Sequence, residues 1–84
     1  MENSENLRRL ALLEVRSITD IELKNLTEKH IHHLIHKLLP ILNYLGEYEF
    51  HEKILEIKRM KNLKIQKKEF QKTCELIREN IQII

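Results

Sequence analysis

The stretch Thr27–Gly46, "TEKHIHHLIHKLLPILNYLG", decides the fold. Within it Ile31, Leu34, Ile35, Leu38, Leu42 and Leu45 recur at the spacing of a helix with one apolar face. Thr27 is an N-cap residue with Leu26 and Ile31 as the hydrophobic staple around it, and Gly46 is the left-handed residue that ends the helix. Pro40 lacks a backbone donor and crowds the carbonyl of His36, so a kink or break is expected near Leu39.

On the N-terminal side, Leu7, Leu10, Ala11 and Val15 predict a first helix that stops near Ser17. Thr19 and Glu22 then match a capping box with Ile18 and Leu23 as its staple, and the apolar stripe breaks phase between Ile21, Leu26 and Ile31. A short second helix near 20–25 follows, with one continuous helix as the alternative. On the C-terminal side, Phe50, Ile54 and Ile57 point inward from a helix over 48–61 that Asn62 ends. Phe70, Cys74, Ile77, Ile81 and Ile84 recur at 4-3-4-3, which gives a last helix from about Gln66. The fold class is all-α, a single domain over 1–84 with a frayed 1–5, built as an orthogonal or up-and-down bundle of four to five helices.

Composition narrows the function classes. A chain of 84 residues makes one domain of modest stability. The lone Cys74 excludes an intramolecular disulfide and a cysteine-rich zinc framework, and a reducing compartment is expected. No apolar run approaches the roughly 20 residues that span a bilayer, and Met1–Glu5 does not resemble a signal peptide, so the expected location is cytoplasmic with no membrane partner. One glycine cannot make a P-loop or a dinucleotide fingerprint. Ser17 and Thr19 read as capping residues, and Cys74 as an inward thiol. Glu49, Glu52 and Glu56 read as a solvated face near Lys53. Neither an enzyme nor a cofactor is indicated.

Four of the five histidines lie between His30 and His36. On a wheel of about 100° per residue, His36, Lys29, His33, Lys37 and His30 fall opposite the leucine stripe, with His32 at its border. His32 and His36 at i,i+4 make half of a metal site. Glu28 cannot complete it, because residues 28 and 36 are about 12 Å apart along one helix. His51 with Glu47, Glu49 and Glu52 is the one other source of ligands. A histidine-based metal bundle is therefore the second alternative, no metal ligand set is assigned, and His32, His33, His36 and Lys37 are taken as a second partner surface. An exposed imidazole cluster gains positive charge below about pH 6.5, opposed by Lys29 and Lys37.

The sharper signal is Lys58–Lys72, which carries Lys58, Arg59, Lys61, Lys64, Lys67, Lys68 and Lys72 against the single acid Glu69. Its local charge is +6, and since the whole chain carries +2 the remainder carries −4. Lysines at a helix C-terminus suit the dipole, whereas Lys67 and Lys68 at a helix start do not, which points to a functional patch for phosphates or an acidic protein surface. A DNA-reading helix-turn-helix around Gly46 fits poorly, because its recognition helix would open with Glu47, Glu49 and Glu52. Tyr44 and Tyr48 are expected in the core rather than as a base-stacking platform. The apolar Ile81–Ile84 calls for a cover, either the first helix or a second copy in a homodimer.

Together these features indicate a small non-enzymatic binding protein that regulates or inhibits a protein or nucleoprotein partner through the basic tip. Antitoxins and phage-type inhibitors share this profile of size and composition, by analogy alone. Direct RNA or DNA binding is the first alternative.

Overall fold

Every element that the computed structural model forms among its described residues, 3–20 and 26–81, is an α-helix. The order is α1 (Asn3–Thr19), α2 (Glu28–Leu45), α3 (Tyr48–Lys58) and α4 (Leu63–Asn80). The apolar stripes meet in one core. Val15 and Ile18 of α1, Ile31, Ile35, Leu38 and Leu42 of α2, Ile54 and Ile57 of α3, and Phe70 and Ile77 of α4 are all at most 2% exposed. Each such side chain contributes about 1.5–3 kcal/mol by leaving water. Helix α2 packs on α3, α3 on α4, and α1 on both α2 and α4.

The long helix starts as its sequence implies. Thr27 is extended, and its hydroxyl accepts from the His30 N–H at 3.3 Å, while Leu26 packs partly buried against the core beside buried Ile31. At the other end Gly46 has φ 76°, its N–H donates to Asn43 O at 3.1 Å, and the Glu47 N–H donates to Leu42 O at 2.9 Å. That is a Schellman ending, and it satisfies two otherwise orphaned carbonyls. Of the kink or break expected near Leu39, the break does not occur, since α2 runs through Pro40. Pro40 and His36 are both exposed, so the carbonyl deprived of its donor lies on the wet side, and buried Leu38, Leu39, Leu42 and Leu45 hold the helix on both sides of the proline.

Several boundaries and placements differ from the sequence reading. Helix α1 continues to Thr19, two residues past the expected stop, and the Thr19 hydroxyl donates to Arg16 O at 3.2 Å, closing that helix. The expected helix near 20–25, with Glu22 and Leu23, lies outside the described residues, as does Ile84. Leu7 and Leu10 are exposed; α1 packs with Ala11, Leu12, Val15 and Ile18. Helix α3 ends at Lys58, three residues earlier than expected, and α4 begins at Leu63, three residues earlier. Asn62 therefore does not end α3 but starts α4, its Oδ1 accepting from the Ile65 N–H at 3.2 Å.

One ion pair constrains the helix directions. Short turns make α2, α3 and α4 run alternately, and in an up-and-down bundle α1 would oppose α4. Instead Arg78 near the end of α4 lies 3.0 Å from Asp20 just past the end of α1. These two helices finish side by side.

Candidate functional site

The turn between α3 and α4 is built from backbone and amide groups and leaves its cations outside. The N–H groups of Arg59 and Met60 donate to Glu56 O and Ile57 O, both at 3.1 Å, which tightens the last turn of α3. Gln66, 1% exposed, donates its Nε2 to Ile57 O at 3.0 Å across the hairpin. A buried amide thus ties the start of α4 to the end of α3, the arrangement that a buried polar side chain requires. Asn62 caps the other side.

On this frame Lys58, Arg59, Lys61, Lys64, Lys68 and Lys72 are exposed and Lys67 is half-buried. Glu69, the only acid of the stretch, sits between Lys53 at 3.8 Å and Lys72 at 3.9 Å. Among the described residues no carboxylate lies within 4.0 Å of the other six cations of the stretch. The earlier start of α4 moves the dipole argument. Lys67 and Lys68 lie past the first turn, and Lys64 is the lysine held against the positive helix end.

The histidine face is exposed as the wheel implies: His30, His32, His33 and His36 all face solvent. His32 Nε2 is 3.9 Å from Glu28 Oε1, and His30 Nδ1 is 3.2 Å from the Thr27 hydroxyl. Lys37, assigned to the same surface, turns aside to lie 3.9 Å from Glu14 of α1. No group of three or more His, Cys, Asp or Glu side chains among the described residues comes together as a metal site. His51 and the α3 glutamates do not join the α2 histidines.

Tertiary packing brings the two surfaces into contact. Lys29, His30, His32, His33 and His36 of α2 line an open groove of about 630 Å³ together with Lys58, the last residue of α3. Lys29 and His30 were legible on the exposed wheel face; that Lys58 closes the groove was not, because it depends on how α3 lies against α2. The tyrosines depart from expectation. Tyr44 is 53% and Tyr48 64% exposed, on either side of the Gly46 turn.

Cys74 is buried at the seam between helices. Burial pushes its thiol up to about 12, Glu75 adds to the rise and Arg78 partly opposes it. Such a thiol stays protonated and inert at neutral pH. Ile81, one of the three isoleucines that called for a cover, is 7% exposed and packs in the chain's own core. No helix among the described residues is long and apolar enough to cross a membrane. No protein-family model matches the chain, and comparison with curated proteins and with solved structures finds no match.

Proposed function

We infer that this chain is a non-enzymatic binding protein, a regulator or inhibitor that occupies an anionic protein or nucleoprotein partner through the basic end of its bundle. The observation that carries this reading is the unneutralised charge there. Lys58, Arg59, Lys61, Lys64, Lys67 and Lys68 cluster at one helix hairpin with no described carboxylate in pairing range. Concentrated like charge destabilises a fold by self-repulsion unless something of opposite sign meets it, and it speeds the encounter with such a partner. The inert thiol and the absence of a glycine-rich phosphate loop fit a binder better than a catalyst.

The test is co-purification from the native host's extract, with and without nuclease, of wild type beside a Lys64→Glu, Lys67→Glu, Lys68→Glu variant whose helicity is checked by circular dichroism. Partners retained by wild type and lost by the folded variant support the reading. Identical retention by both proteins sinks it.

A further inference from the structure

We propose that the α2–α3 groove and the basic turn form one continuous track for the phosphodiester backbone of a nucleic-acid strand, tightened by protonation of the groove histidines. The proposal rests on the function inferred above and names its ligand. Lys58 belongs to both surfaces, lining the groove with Lys29, His30, His32, His33 and His36 and opening the run through Arg59, Lys61, Lys64 and Lys68. Lys29 to His36 covers about 10 Å of helix, and the cations then continue over the end of α3 onto α4. A row of cations of this length suits a polymer with one charge per about 3.4 Å of strand better than a single small anion.

Composition separates a nucleic acid from an acidic protein surface. Lysine is depleted at protein–protein interfaces, whose cores are rich in aromatic and apolar anchors. The track has lysine and imidazole in abundance and no phenylalanine, tyrosine or tryptophan. The exposed tyrosines, Tyr44 and Tyr48, lie at the other turn of α3. Such a surface grips backbone without stacking on bases, so its binding is insensitive to sequence.

The histidines add a proton dependence. The charged groups around them are Glu28 and Lys29 on α2 and Lys58 from α3, with Lys37 engaged by Glu14 of α1. Of the two acids, Glu14 is taken up by Lys37, and Glu28 reaches His32 only at 3.9 Å. His33 and His36 face the groove without a carboxylate partner among the described residues. Imidazoles as a class take up a proton between pH 8 and 5, and a phosphate lying in the groove favours that uptake.

Fluorescence anisotropy with a labelled 20-nucleotide oligothymidylate tests this at pH 6.0 and 7.5 over a salt series, with labelled poly-glutamate as the acidic polypeptide. The proteins are wild type, a groove variant (His33→Gln, His36→Gln) and the tip variant of the preceding section. All substituted groove positions are exposed, so folding is not at stake. Wild type is expected to bind the strand with a salt slope steeper by about 1–2 at pH 6.0 than at 7.5. The groove variant, which keeps His30 and His32, should lose about half of that difference while matching wild type at pH 7.5, and the tip variant should bind weakly at both. Strand binding by the groove variant equal to wild type at pH 6.0, with the tip variant defective, overturns the groove inference and leaves the basic-end reading standing. Preference for poly-glutamate over the strand overturns the nucleic-acid assignment in favour of a protein surface. A tip variant that binds like wild type overturns both.

Discussion

The two turns that bracket α3 join neighbouring helices by opposite means. The α2–α3 turn is closed by backbone geometry, with Gly46 at φ 76° and two carbonyls capped by main-chain N–H groups. The α3–α4 turn has no left-handed residue; it relies on side-chain amides, Asn62 on the outside and buried Gln66 within. Their charges are opposite as well. After Lys37 no lysine or arginine occurs until Lys53, and Glu47, Glu49 and Glu52 fall in that interval, whereas Lys58–Lys72 has one acid. The acidic residues at the start of α3 favour its dipole and need no partner beyond water. Lys64 in the first turn of α4 works against the dipole, so the basic turn depends more on what packs beneath it.

This contrast makes ordered predictions for urea unfolding. Phe70→Ala should destabilise most, by about 3–5 kcal/mol, because the ring is fully buried one turn beyond Gln66 and anchors the basic hairpin to the core. A loss below about 1 kcal/mol would show that the hairpin stands independently of that ring. Gln66→Ala should cost about 2–3 kcal/mol through the lost bond to Ile57 O and the space left behind. Amide hydrogen exchange should rise first around residues 58–63, and unchanged protection there would remove the special role given to the amide. Gly46→Ala should cost about 1–2 kcal/mol from the left-handed backbone alone, since no atom lies within 4 Å of an added Cβ. A larger loss would mean that the acidic turn is the more tightly determined of the two. The smallest effect, about 1 kcal/mol, is expected for Asn62→Ala at the exposed cap of α4.

How much of this was legible in the chain varies with how local the signal is. Thr27, Gly46 and the apolar stripe of α2 act within a few residues, and all three do in the fold what their pattern implies. Asn62 shows the limit of such signals. An asparagine after a run of helix formers fits a stop as well as a start, and in the fold it is a start, its Oδ1 accepting from the Ile65 N–H while Gln66 of the same helix reaches Ile57 O. Thr19 is ambiguous in the same way, since its hydroxyl serves a cap or the preceding turn equally well. Pro40 is tolerated because the core faces on both sides of it are buried, a tertiary fact that no local rule contains. Tyr44 and Tyr48 were assigned to the core on chemistry alone, although both stand exposed beside the Gly46 turn.

The helical class, the exposed histidine face and the excess of cations over Lys58–Lys72 are consequences of composition and period, since each depends on residues close together in the chain. Packing alone decided that α1 and α4 finish side by side, that Gln66 is buried as a brace, and that Lys58 joins the histidines in one groove. Those arrangements arise from contacts between segments far apart in sequence. Their free energy belongs to the shape of the shared core, and no single stretch carries it.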